Sequence, residues 1–195
     1  MNLIERAKNI LITPKTEWQV INDEVATPQS LLMIYVLPLA LISAVGPLLT
    51  GFLFPGVVAL TYFLVSAVIA FVSTVLGYYI SIYIIDLLAP SFGSERDLNK
   101  SAQLVAYSAT PSYLAGLLSF IPVLGGLLKF AAWIYSIYLM YLGIGPLKKT
   151  PEDKKGIYLL VAFLVTIGVT LIIAAILGAL LFATIGFGAM GLPGR

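Results

Sequence analysis

The chain contains neither cysteine nor histidine, and charged residues make up only 10% of its 195 residues. The first two absences exclude disulfide bonds, thiol redox chemistry, soft-metal sites and acid–base catalysis by imidazole. The net charge of +2 is too small to indicate a nucleic-acid partner. We therefore expect no cofactor, no metal site, no catalytic residue and no binding of nucleic acid.

Apolar residues are abundant instead, at 60% of the chain, with a mean hydropathy of +1.02. Several uncharged stretches exceed the roughly 20 residues that cross a bilayer as helix. These stretches predict an all-α, polytopic membrane bundle over residues 27–188, entered through an N-cap at Thr27 with Pro28 as the first helical residue. Five spans are expected: Leu31–Phe54, Val57–Leu88, Leu104–Ile121, Leu124–Gly145 and Ile157–Phe187.

Charge is distributed unevenly between the predicted connections. The connections at 54–56 and 122–123 are short and uncharged, whereas 89–103 and 146–156 are longer and charged. All nine acidic residues and nine of the eleven basic ones belong to the side of the longer connections, and Lys129 and Arg195 fall on the other. Because short loops rich in lysine and arginine stay in the cytoplasm, we predict an N-terminus inside and a C-terminus outside, with a short tail at 189–195.

The first 26 residues predict two short amphipathic helices that lie in the membrane interface. An apolar stripe begins at Leu3, Thr13-Pro14 restarts the helix, and Trp18 suits the headgroup layer. Two interpretations remain open for this segment. It either covers the cytoplasmic mouth of the bundle or presents a docking surface for a partner.

Short sequence matches suggest an internal repeat. The triplet at Ser81–Tyr83 recurs at Ser136–Tyr138, and Leu104–Tyr107 resembles Leu160–Phe163, at offsets of 55 and 56 residues. One interpretation is a parallel repeat of two-span units, 57–122 and 123–188. The other is chance similarity between apolar sequences.

Asp86 is the most informative polar residue, because it follows a long apolar run near the end of the second span. A charge within the membrane is costly, and a carboxylate near a helix C-terminus opposes the helix dipole. We therefore expect compensation by Arg96, Lys100 or the hydroxyl of Tyr107. A structural anchor and a functional cation or proton site are both compatible with this position.

Four further residues are candidates for the same binding site. Tyr83 precedes Asp86 by one turn, and Pro90 closes the second span. Tyr107 and Pro111 lie in the third span, where the proline removes a backbone donor and interrupts the helix. A simple kink and a broken helix that lines a cavity are both compatible with Pro111.

The segments Asp86–Pro90 and Ala106–Pro111 carry a family resemblance. They resemble the Yip family, multi-span membrane proteins known in eukaryotes for interacting with Ypt/Rab GTPases. In that family an Asp-Leu-Tyr-Gly-Pro motif ends the second span, and a Gly-Tyr motif with a nearby proline opens the third. Asp86, Leu87, Pro90, Tyr107 and Pro111 match, while Leu88, Ala89 and Ala106 depart from the motifs.

The opening segment Leu11–Trp18 is similar to prokaryotic members of that family. The resemblance thus implies a non-enzymatic protein of a prokaryotic plasma or inner membrane. We expect a scaffold that binds protein partners at the cytoplasmic face. The alternative is a small transporter or channel for a cation, proton or small solute that uses Asp86 and nearby tyrosines.

Small residues at fourfold spacing permit close helix packing and are compatible with a homo-oligomer. They occur at Ser112/Gly116 and at Ala175/Ala179/Ala183.

Overall fold

All regular elements of the computed structural model are helices within residues 2–53, 57–121, 123–169 and 171–172, the parts of the chain that it describes. Helices α1 (Leu3–Ile12) and α2 (Pro14–Asp23) form the N-terminal pair. Pro14 occupies the first turn of α2, where a missing N–H costs nothing. The prediction of two short helices with a restart at Thr13-Pro14 is therefore confirmed.

The first long helical segment starts at a capping box. The Thr27 hydroxyl accepts from the Ser30 N–H at 3.1 Å, and the Ser30 hydroxyl accepts from the Thr27 N–H at 3.0 Å. Helix α3 (Pro28–Leu31) continues through a π-helical turn at Leu32–Val36 into α4 (Leu37–Leu53). The predicted N-cap at Thr27 with Pro28 as the first helical residue is confirmed.

The remaining helices largely follow the predicted segments, and the boundary of α6 is the main change. Helix α5 (Val57–Leu88) has the predicted bounds and ends in a 3₁₀ turn at Ala89–Phe92. Helix α6 (Leu98–Ser108) begins within the predicted connection 89–103, because Asp97 caps it by accepting from the N–H groups of Asn99 and Lys100. Then follow α7 (Thr110–Leu117), α8 (Leu124–Lys148) and α9 (Lys155–Val169).

Three described segments are long and apolar enough to cross a membrane: Pro28–Thr50, Ala67–Phe92 and Leu124–Lys148. The third predicted span is divided at Ala109 between α6 and α7, as expected from the proline that follows. The fifth predicted span and the tail at 189–195 run beyond the described residues. The number of spans and the orientation thus remain predictions.

Small residues allow close contact between α4 and α7. A Cβ at Gly116 would lie 1.8 Å from the Ser43 hydroxyl oxygen, and one at Gly46 would lie 2.2 Å from the Gly116 carbonyl oxygen. The Ser112 and Ser136 hydroxyls, on α7 and α8, lie 3.0 Å apart. The Ser112/Gly116 pair therefore serves packing between helices of one chain. The alanines at 175–183 lie outside the described residues.

The N-terminal helices pack onto α6 and α8, and Trp18 is part of the core. Its side chain is 1% exposed, and a Cβ at Gly143 would lie only 2.6 Å from its indole ring. The prediction that Trp18 lies among headgroups is therefore wrong. Gly143 leaves a notch in α8, and burying the large indole there removes more apolar surface from water than an interfacial position does.

Side chains of α6 and α8 bind the carbonyl groups at the ends of the N-terminal helices. The Lys100 ammonium donates to the Asn22 and Glu24 carbonyls at 2.5 and 3.1 Å. The Gln103 amide donates to the Glu24 carbonyl at 3.0 Å, and the Tyr135 hydroxyl donates to the Leu11 carbonyl at 2.7 Å. Because the last carbonyls of a helix lack partners within it, these bonds hold α1 and α2 in place.

Candidate functional site

Asp86 points into the bundle, where its side chain is nearly inaccessible to solvent. Its Oδ1 atom accepts from the Lys148 ammonium at 3.0 Å and lies 3.2 Å from the Ser101 hydroxyl. Its Oδ2 atom accepts from Arg96 Nε at 3.1 Å. These four residues form what we call the Asp86 cluster, which joins α5, α6, α8 and the α5–α6 connection.

Lys148 is the innermost cation of the Asp86 cluster and is fully buried. Besides Asp86, its ammonium contacts the Ser101 hydroxyl at 2.8 Å and the Asp97 carbonyl at 3.0 Å. Three acceptors thus match the three hydrogens of the ammonium group. Lysine in the last turn of α8 also complements the dipole of that helix.

The charge of Asp86 is therefore compensated by Lys148, which was not among the expected partners, as well as by Arg96, which was. Arg96 is confirmed as a partner, and it is the more exposed of the two cations. Lys100 instead binds backbone carbonyls of the N-terminal segment, and the described hydrogen bonds of Asp86 do not include Tyr107. Those two alternatives are wrong because α6 turns both side chains away from α5, towards α2 and α3.

The two charged connections, 93–97 and 149–154, are bonded to each other beside the cluster, and we call this end of the bundle the charged end. The Glu95 N–H donates to the Lys148 carbonyl at 2.9 Å. The Ser94 hydroxyl donates to the Thr150 hydroxyl at 2.8 Å, and Thr150 donates onward to the Ile144 carbonyl at 3.1 Å. Thr150 therefore terminates α8 rather than starting α9.

A second cluster surrounds Tyr107 on the other face of α6. The Arg6 guanidinium carbon lies 5.2 Å from the centre of the Tyr107 ring, at a distance typical of cation–π contacts. Arg6 is buried and donates to Glu17 at 2.5 Å and to Glu24. We call Arg6, Glu17, Glu24 and Tyr107 the Arg6 cluster, which ties α1 to α2 and both to α6.

The five predicted site residues do not converge on one pocket. Tyr83 and Pro90 are exposed on the outside of the bundle, away from the buried carboxylate of Asp86. Tyr107 and Pro111 flank the break at Ala109, where the Thr110 hydroxyl donates to the Tyr107 carbonyl at 2.7 Å. The Tyr35 hydroxyl, 2.7 Å from that of Thr110, then donates to it.

The Asp86 cluster is an internal network of ion pairs and hydrogen bonds. The one carboxylate of the Asp86 cluster is bound by two cations and a hydroxyl, which leaves it engaged through both oxygens. Within the described ranges, no group of three or more acidic side chains converges in the way that metal ligation requires.

Comparison of the sequence with models of known protein families identifies the family of this chain. The Yip1 domain matches residues 8–176, which include the Asp86 cluster, all five predicted site residues and every member of the Arg6 cluster except Arg6 itself. The chain belongs to the Yip family. Comparisons of this Yip1 domain with curated proteins and with solved structures return no match.

The sequence did not predict the roles of several buried residues of this Yip-family protein. The fourth span was predicted to end at Gly145, which places Lys148 in a connection. Helix α8 instead continues past Pro146 and ends at Lys148. Ser101 and Arg6 carried no motif. The available signal was complementary charge: Asp86 and Lys148 lie near the ends of the second and fourth apolar segments, on the same predicted side of the membrane.

Proposed function

We propose that this Yip-family protein is a non-enzymatic membrane scaffold that binds partner proteins at its charged end, on the cytoplasmic face. The single observation that carries the proposal is that the Asp86 carboxylate is fully paired inside the protein. Its ion pairs with Lys148 and Arg96 hold α5, α6 and α8 together. It therefore supports the shape of the charged end and leaves partner contacts to the exposed charges around it.

The exposed charges have mixed sign and lie on bonded connections. Glu95 pairs with Lys149 across the two connections at 2.9 Å, and both side chains are largely exposed. Glu152 and Arg96 add an exposed charge of each sign. Such exposed pairs contribute little to stability, so their charges are available for complementary contacts with a partner.

The alternative of a transporter requires Asp86 to bind and release its solute. In the structure, a solute cation would have to displace the Lys148 ammonium from the Asp86 carboxylate. Because removal of one member of a buried pair leaves an uncompensated charge, that exchange is unfavourable. No observation among the described residues favours transport over scaffolding.

Site-specific photo-crosslinking in living cells tests the scaffold. A photoreactive residue at Glu95 or Glu152, on the charged end, should give discrete adducts of one or a few proteins. The matched control is Val123, equally exposed but at the opposite end of α8. Adducts that are absent at the charged end, or that form equally at Val123, would contradict the proposal.

Flux through proteoliposomes distinguishes the two functions. The scaffold should give no uptake of protons or alkali cations above that of empty vesicles. A flux in the parent protein that is lost in a folded Asp86→Asn variant would establish the transporter instead.

A further inference from the structure

A basic pocket of about 600 Å³ lies at the charged end, between α2, the end of α8 and the α8–α9 connection. Three lysines, Lys15, Lys149 and Lys155, line it together with one carboxylate, that of Glu152. Lys149 also pairs with Glu95, which lies outside the lining, so three lysines face two carboxylates and the pocket keeps an excess of one positive charge, which favours an anionic ligand.

The Lys155 ammonium is the most buried cation of the pocket. Lys155 is 8% exposed, and its Nζ atom lies against Gly145 of α8, where a Cβ would be 2.5 Å away. The absence of a side chain at Gly145 leaves room for the ammonium in this position. Its described partner is Glu152 at 2.5 Å, whose side chain is 84% exposed and free to exchange with another anion.

An apolar groove of about 610 Å³ follows the basic pocket along α8 and α9. The change from one to the other occurs between adjacent residues on both helices: Leu142 and Lys155 line the pocket, and Tyr141 and Gly156 line the groove. The groove continues past Tyr138 and Leu160 towards Trp133 and Ile167. A cationic cavity beside an apolar groove on the same two helices is complementary to an amphiphile with an anionic head.

We propose that this combined surface binds one anionic phospholipid, with its phosphate between Lys15, Lys149 and Lys155 and an acyl chain in the α8–α9 groove. The depth fits, since Lys149 directly follows α8 and Lys155 begins α9, where the helices leave the apolar layer. Basic pockets between membrane helices on the cytoplasmic side are suited to such headgroups. A lipid, unlike free phosphate, accounts for both the pocket and the groove.

Native mass spectrometry of the full chain tests the headgroup contact. The protein in detergent is mixed with equal amounts of phosphatidylglycerol and phosphatidylcholine that carry identical acyl chains. We expect preferential retention of one phosphatidylglycerol. Retention should fall by roughly fivefold for each lysine removed in Lys15→Gln/Lys149→Gln. The control Lys8→Gln/Lys154→Gln has the same net charge, changes two exposed lysines outside the pocket, and should retain the lipid.

A second pair of variants tests the groove. A Cβ at Gly156 meets no atom within 4 Å, so Gly156→Phe introduces a side chain at the groove from an unobstructed position and should reduce retention of phosphatidylglycerol several-fold. Gly168→Phe, equally unobstructed in the same helix but outside the groove, should not. Equal loss in both variants would overturn the acyl-chain assignment.

Excess inorganic phosphate separates a lipid from a soluble ligand. It should leave phosphatidylglycerol bound, because the acyl chain supplies part of the affinity. Displacement by phosphate, equal retention of both lipids, or unchanged retention in Lys15→Gln/Lys149→Gln would each overturn the proposal. Photo-crosslinking at Glu95, which does not line the pocket, tests the scaffold separately from these outcomes.

Discussion

The Asp86–Lys148 pair gives a quantitative test of the structure through a double-mutant cycle. Asp86→Asn keeps the shape of the side chain but leaves the fully buried Lys148 ammonium with two neutral acceptors, the Ser101 hydroxyl and the Asp97 carbonyl. Breaking a buried pair by removing one charge costs about 3–5 kcal/mol. We expect the free energy of unfolding to fall by about 3 kcal/mol, the lower end of this range, because these two acceptors remain.

The reverse change should be less destabilising. Lys148→Met leaves Asp86 with Arg96 and Ser101, so its carboxylate keeps a cation and a hydroxyl. Combining Asp86→Asn with Lys148→Met removes both buried charges and should restore stability to within about 1 kcal/mol of the parent. The coupling between the two positions then amounts to about 2 kcal/mol or more.

Unfolding in mixed detergent micelles, followed by circular dichroism and by fluorescence of the buried Trp18, measures these free energies. Arg96→Gln is the matched control, because this partner is exposed and its loss should cost about 0–1 kcal/mol. Asp86→Asn within about 0.5 kcal/mol of the parent would refute the reasoning. So would a double variant no more stable than Asp86→Asn alone.

Three further predictions concern the packing around the N-terminal helices. Arg6→Met leaves the buried Glu17 carboxylate without its cation, so hydrogen exchange of residues 2–23 should accelerate, whereas Lys8→Met should leave it unchanged. Gly143→Ala places a Cβ against Trp18 and should destabilise by about 1–3 kcal/mol in the same unfolding assay, whereas Gly126→Ala meets no neighbouring atom and should not. Tyr35→Phe removes the hydrogen bond to Thr110 and should cost about 0.5–1.5 kcal/mol; no loss would exclude a contribution of that bond to stability.

Local signals predicted the helices well. Pro14, and Thr27 with its capping side chain followed by Pro28, predicted the helix starts correctly, and α5 has the expected bounds, because such signals act within one turn. Helix α6 begins six residues before the predicted third span, because Asp97 caps a helix whose first turn is polar and resembles a loop in composition.

The candidate site was predictable only in outline. Arg96 was among the three partners expected for Asp86, because it lies ten residues further along the chain in the connection that follows the second span. Lys148 lies 62 residues away, and Trp18 meets Gly143 across an even longer separation. Contacts of that kind depend on how each helix is rotated and placed, which an almost uniformly apolar sequence does not encode in its periodicity.

The sequence by itself determined the membrane class, the family motifs and the concentration of charge in one set of connections, because these follow from composition and short-range order. Only the tertiary structure decided that Asp86 faces inwards and that its principal partner is a buried lysine on α8. The physical reason is that a buried carboxylate pairs with the cation that helix packing places within hydrogen-bond distance. That distance depends on how separate helices pack against each other, which the local sequence around Asp86 does not specify.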